Sequence, residues 1–182
     1  MLQRRVREAM PGVKLVAGDT MNYWIKDHKP ALLEVLKGLD ILLINDTEAR
    51  MLAGKSSLVQ AARGVLAMGP RMLVVKHGEY GATAFFGKSP KNVGATTFRS
   101  PAMPLEEVID PTGAGDSFAG GFFGYLASQK ELTPGAFRRA MFYGSVMGSF
   151  ACERFGTDRL QELSRKEIDE RFNLFRELTH LD

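Results

Sequence analysis

DPTGAGDSFAGGFFGYLA, residues 110–127, sets two glycines around an alanine, places an aspartate directly behind them, and adds three more glycines inside a segment that must be helical. Asp110 precedes a proline, which biases it toward extended geometry, so no helix runs comfortably through it. Thr112-Gly113-Ala114-Gly115 is then a loop without bulky side chains, feeding the helix SFAGGFFGYLA. A bare backbone at a helix start exposes unpaired N–H groups backed by the helix dipole, which makes a site for negative charge. Phosphate is the expected guest.

Asp116 complicates plain phosphate binding, because a carboxylate in an anion site competes with the guest. Its position makes sense if it faces a neighbouring group that must lose a proton. The dipole that attracts phosphate also favours the carboxylate form, ready to accept a hydrogen from an alcohol. A base beside an oxyanion cradle is what phosphoryl transfer to a hydroxyl requires. Taken alone, Asp116 also reads as a simple helix cap. The later glycines, Gly120, Gly121 and Gly124, each cost about 1 kcal/mol relative to alanine in a helix interior unless close packing compensates. Gly144 and Gly148, near Ala140 and Ala151, offer a second small-residue face. The expectation is that these two helices approach closely and hold the 113–116 loop rigid.

Working outward, short apolar runs alternate with helical patterns through the first half. KLVAGD (14–19), ILLIN (41–45) and MLVVK (72–76) read as buried strands. PALLEVLKGL (30–39) starts with a proline in a helix's first turn, TEARMLAG ends at Gly54, and SSLVQAARGVLAMGP (56–70) has serine caps and a Gly-Pro stop. Strands without alternation, separated by helices, imply a parallel sheet covered on both faces. GEYG (78–81) is a tight turn after which GATAFFG (81–87) returns antiparallel, and a loop KSPKNVG leads to a strand ATTFRS (95–100). Helices follow near 114–128, 134–152 and 165–179. The fold class is α/β, a mainly parallel central sheet with antiparallel strands at one edge.

With 182 residues, 45% hydrophobic and 25% charged, residues 1–182 read as a single domain. Net charge is +3, and the only dense basic cluster, QRRVRE, reads as a solvated helix face, so nucleic acid is not an expected partner. Cys152 is the only cysteine, no run of 18 apolar residues occurs, and the first ten residues lack the apolar core of a signal peptide. A soluble, cytoplasmic protein without membrane contact is the expectation. Two phosphate-motif decoys fail: GATAFFGKS has five residues between its glycines where a Walker A loop needs four, and GAGDSF lacks the last glycine of the dinucleotide fingerprint. No early Gly-x-Gly-x-x-Gly follows the first strand, which disfavours a Rossmann-like oxidoreductase.

DPTGAGDSFAGGFF resembles, along its whole length, the C-terminal signature of the ribokinase-like (PfkB) family of carbohydrate and nucleoside kinases. NDTE after ILLIN resembles that family's Asn-x-x-Glu motif, and KHGEYG after MLVVK resembles its loop beneath the nucleotide phosphates. The resemblance implies a three-layer αβα fold and an ATP-dependent phosphotransferase acting on a hydroxyl of a small sugar or nucleoside. Asp116 would be the general base, with the backbone of Gly113, Ala114 and Gly115 as anion hole. Asn45 and Glu48, which alone would read as helix capping, would organise Mg2+ and phosphate, largely through water. Lys76 and Gly78 would lie against the ATP phosphates, and Gly144 to Met147 with the loop ERFGTD would border the adenine. His77 reads as a strand-end residue rather than a catalyst. In some relatives a monovalent cation (K+) touches the position of Asp110.

The chain departs from the family as well. It resembles the C-terminal part, over nearly all of residues 13–160, without the early glycine-pair motif, the lid strands or the acidic residue that grips sugar hydroxyls. GDTMNYW (18–24) lacks the arginine some sugar kinases have in the comparable segment. An alternative is therefore a non-catalytic nucleotide-binding fragment, self-associating as a homo-oligomer through exposed edge strands.

Overall fold

The computed structural model describes residues 2–87 and 97–179. The loop KSPKNVG and the first two residues of ATTFRS lie outside the described residues. The chain divides into two compact units, Met1–His77 with Thr83–Phe98, and Gly78–Ala82 with Arg99–Asp182.

The first unit opens with α1 (Leu2–Glu8) and continues through β1 (Ala17–Asp19), α2 (Asn22–Asp27), α3 (Lys29–Leu36), β2 (Ile41–Asn45), α4 (Asp46–Ala53), α5 (Leu58–Leu66) and β3 (Met72–Lys76). β4 (Ala82–Phe86) and β5 (Thr97–Ser100) complete a sheet whose order is β1-β2-β3-β4-β5. β1 and β3 both run parallel to β2, with Ala17 level with Ile41, and Asn45 level with Lys76. The chain then folds back: Gly87 N–H donates to Arg71 O at 2.8 Å, and His77 Nε2 meets Thr83 Oγ1 at 3.0 Å. The end of β4 thus meets the start of β3 and the start of β4 meets its end, the reversed order of an antiparallel return.

The unbroken apolar runs earn their place by being buried on both faces. Leu42, Ile44, Leu73, Val75 and Phe85 pack with Leu32, Leu36, Ala49, Leu52, Ala62 and Val65 from α3, α4 and α5. On the opposite face Ile41, Leu43, Met72 and Val74 are buried as well. Each such aliphatic side chain contributes about 1.5–3 kcal/mol on leaving water. Ser57 stands at the start of α5, but its side chain makes no capping bond, so the helix there is held by packing rather than by the expected serine cap.

In the second unit, α6 (Ala114–Ala127) and α7 (Pro134–Ala151) form an antiparallel pair, followed by α8 (Asp158–Gln161) and α9 (Arg165–Thr179). Thr133 caps α7, its Oγ1 accepting from Ala136 N–H at 3.1 Å. Phe150, Val146 and Phe175 form the buried centre of this unit. Tyr143 stacks on Tyr125 at 4.7 Å and on Phe172 at 4.2 Å, tying α7 to α6 and α9. Cys152, which ends α7, is half-buried. No helix of the described residues is long and apolar enough to cross a membrane.

Candidate active site

Parallel strands end together, so their carboxyl ends gather side chains that are distant in sequence. In the first unit these are Asp19 from β1, Asn45 and Glu48 at the β2–α4 junction, and Lys76 from β3. Asn45 leaves β2 in extended geometry, and its Oδ1 accepts from Glu48 N–H at 2.8 Å. Glu48 Oε2 in turn accepts from Asn45 N–H at 2.9 Å, a reciprocal capping box. The capping reading of these two residues is thus real, and it fixes both oxygen-bearing side chains at the strand end.

Glu48 is buried, and that burial pushes its carboxyl pKa above the usual range. The Asn45 amide opposes the shift, Asp19 adds to it, and Lys76 opposes it. Lys76 Nζ lies 3.6 Å from Asp19 Oδ2, with only 19% of its side chain exposed. The next residue, Thr20, buries its Oγ1 with no hydrogen-bond partner among the described residues. Asp19 is the residue that sequence reasoning missed here. Its signal was an acidic side chain closing an otherwise apolar strand run, KLVAGD.

The second unit carries the glycine turn. Gly113 takes φ 78°, a left-handed conformation that L side chains rarely adopt, and stands immediately before α6. Ala114 N–H donates back to Pro111 O at 3.1 Å, and Ser117 N–H to Gly113 O at 2.8 Å. Of the three amides expected to face an anion, Ala114's is therefore committed to the turn. Those of Gly113 and Gly115, and that of Asp116, have no acceptor among the described residues. Asp116 is exposed in the first turn of α6 rather than locked in the core.

Asp110 accepts from Thr112 N–H at 2.9 Å, and this bond, with help from the Gly156 amide, holds its pKa below the usual carboxylate range. Gly78 also adopts a left-handed conformation, φ 58°, with open space where a Cβ would stand.

The helix contact behind the turn is partly as expected. A Cβ on Gly121 would lie 2.5 Å from Tyr143 O and 2.7 Å from Met147 Cγ, and one on Gly144 2.9 Å from the Phe118 ring. A Cβ on Gly148 would sit 3.2 Å from Ala114 O, so α7 backs directly onto the start of α6, where the glycine turn ends. Gly120 and Gly124 depart from the expectation: both are exposed with nothing within 4 Å of a would-be Cβ, because they lie on the face of α6 turned from α7. Gly144 is buried in the helix contact and Met147 is half-buried beside it. The structure thus brings together Asn45, Glu48 and Lys76 in one unit, and Gly113, Ala114, Gly115 and Asp116, backed by Gly144 and Met147, in the other.

Comparison with known proteins gives this arrangement its class. The fold is ribokinase-like. It superposes on aminoimidazole riboside kinase from Salmonella enterica, complexed with aminoimidazole riboside and an ATP analogue, with a TM-score of 0.76 at 21% identity, covering 93% of this chain and 55% of that one. A double mutant of fructokinase from Vibrio cholerae, bound to fructose, ADP and potassium ion, gives 0.79 at 18% identity, covering 93% of this chain and 54% of that one. In sequence, the chain is 30% identical over 138 residues to the cytidine kinase of Thermococcus kodakarensis, covering 74% of this chain and 40% of that protein. Residues 12–163 match the family described as pfkB family carbohydrate kinase, and the chain belongs to that family. It spans less than two thirds of the length of each of these relatives.

Proposed function

We propose that the chain forms the nucleotide-binding and catalytic part of an ATP-dependent kinase that transfers the γ-phosphoryl group to a hydroxyl of a sugar or nucleoside. The observation that carries this reading is the start of α6, where unpaired amides at Gly113 and Gly115 immediately precede an exposed Asp116. Backbone donors fixed in advance stabilise charge that develops on a transferring phosphoryl group, and they need no reorganisation as it forms. Asp116, one residue on, is the general base that takes the proton of the acceptor hydroxyl. Ala114 supplies a small side chain and a turn-closing amide.

Asn45 and Glu48 offer hard oxygen donors of the kind magnesium accepts, largely through water, and would hold it against the nucleotide phosphates. Magnesium bound there would neutralise phosphate charge. Lys76 adds a point charge and Gly78 an open backbone for the phosphates. Met147 and the loop 153–158 border the adenine, with Gly144 acting from within the helix contact. Asp110, a carboxylate held ionised by backbone amides, suits a K+ ion, which the fructokinase relative carries. The names of two relatives, cytidine kinase and aminoimidazole riboside kinase, favour a riboside acceptor. We further propose a single catalytic domain that works in the cytoplasm.

A second reading is a non-catalytic nucleotide-binding or self-associating fragment of such a kinase. It rests on the share of its relatives that the chain spans and on β1 lying at the edge of the sheet. Calorimetry with ATP and magnesium, alongside ADP release over a panel of ribosides, hexoses and free ribose, separates the two. Turnover on any member supports the kinase; binding without turnover supports the fragment; no binding sinks both.

A further inference from the structure

We infer that Glu153, held by Arg159 and Arg171, is a positioning residue that sets the Asp110–Gly113 turn through the loop following α7. This inference rests on the proposed role of that turn in phosphate binding.

Glu153 receives both of its oxygens' partners from helices further along the chain. Arg159 Nε donates to Oε2 at 2.8 Å, and Arg171 Nη2 donates to Oε1. Both guanidinium groups lie over the buried Phe150 ring, at 3.5 Å for Arg171 and 4.9 Å for Arg159. Arg171 Nη1 also donates to Ser149 Oγ at 3.0 Å, and Arg159 Nη2 to Glu167 Oε1 at 2.8 Å. Two cations and two carboxylates therefore balance in a partly buried cluster, with Glu153 at its centre. Burial alone would raise the Glu153 pKa, but the hydrogen bonds from Arg159 and Arg171 bring it below the usual range.

The Glu153–Arg159 pair closes the base of a loop that spans six residues. What this loop touches is the candidate site. At its start, Cys152 O accepts from Ile109 N–H at 2.9 Å and from Asp110 N–H at 3.4 Å. Near its apex, Gly156 takes a left-handed conformation at φ 65°, and its amide helps to hold the Asp110 carboxyl below the usual pKa range. The same carboxylate takes Thr112 N–H, one residue before Gly113. From the arginine-held Glu153, one peptide link leads to Cys152 O, and hydrogen bonds lead on from there through Asp110 to Thr112, all within one compact unit. Charge-assisted bonds at its base are stronger and more directional than neutral ones.

Amide exchange followed by NMR on the full chain tests this, with ATP–magnesium calorimetry beside it. In Glu153→Gln, exchange at Ile109, Asp110 and Gly156 should quicken by roughly tenfold, while amides in the middle of α7 keep their protection. ATP affinity should fall by about fivefold to tenfold in parallel. A residue that merely docked α9 would instead speed exchange along residues 165–179 and leave Ile109 and Asp110 unchanged, which overturns the inference. Should Glu153→Gln not fold, Arg171→Lys is read by the same amides. If the wild type binds no nucleotide, the kinase reading fails, and the exchange comparison still decides this one.

Discussion

Lys76 Nζ sits 3.6 Å from Asp19 Oδ2, so the ends of β3 and β1 are bridged across β2 by opposite charges at the strand ends. The lysine proposed to meet nucleotide phosphates is thus already paired, and a phosphate must compete with Asp19 for it. Lys76→Met should weaken ATP binding by about tenfold. Asp19→Asn removes the competitor and should tighten ATP binding by about twofold to threefold. Because the Asp19 side chain is 43% exposed, neither change should move folding stability by more than about 1 kcal/mol. Calorimetry and urea melts on the two variants check the opposed directions; a parallel loss in both would contradict the competition.

Glu48 carries a second, pH-dependent consequence. Its folded pKa lies above the ordinary value of 4.5, chiefly through burial, so the folded chain holds this proton more tightly than the unfolded one. Its contribution therefore favours folding most at acid pH and is lost as pH rises through 4.5 toward the raised value. At neutral pH the ionised group is a net burden on the fold. Glu48→Gln keeps an acceptor for Asn45 N–H and discards the charge. Its stability at pH 7 should equal or exceed wild type by up to about 1 kcal/mol, and its decline between pH 4.5 and 7 should flatten. Urea melts across that range measure it. ADP release should fall sharply in the same variant, separating a functional carboxylate from a stabilising one.

The residues that local sequence made legible are those whose environment repeats along the chain. ILLIN and MLVVK coincide with β2 and β3 because a strand buried on both faces must be apolar at every position. KLVAGD was read as six strand residues, yet the register with β2 runs only from Ala17 to Asp19, and among the described residues β1 has a neighbour on one side alone. α2 was not foreseen: its N-cap, Met21, makes no side-chain bond, and six residues give too short a period to register. Asn45 and Glu48 were legible twice, as a cap and as a family motif. The Glu153 cluster was not, because Arg159 and Arg171 lie 6 and 18 residues away, and only folding makes them neighbours.

Asp116 gives the sharpest functional test because it is exposed and stands outside the α6–α7 contact. Asp116→Asn preserves shape and removes the proposed base, so turnover should drop by about 10² to 10⁴. Its melting temperature should stay near wild type, since an exposed substitution rarely exceeds about 0.5 kcal/mol. Unchanged turnover in ADP-release kinetics would end the assignment of this carboxylate as base.

The glycines of α6 divide by face, and the division predicts opposite signs for one substitution made at adjacent positions. Gly121→Ala must place its methyl 2.5 Å from Tyr143 O, a backbone atom that cannot swing aside, and 2.7 Å from Met147 Cγ. The helices must separate, and overpacking of this kind costs about 1–3 kcal/mol. Gly120→Ala meets nothing within 4 Å, so it gains helix propensity and chain stiffness and should stabilise by about 0.5–1 kcal/mol. Gly124→Ala should behave like Gly120→Ala for the same reason. Thermal melts of the three variants decide whether α6 meets α7 through Gly121. Because a Cβ on Gly148 would lie 3.2 Å from Ala114 O across the same contact, separation at Gly121 should also disturb the glycine turn. Gly121→Ala should therefore lose ATP affinity as well as stability, while Gly120→Ala keeps it.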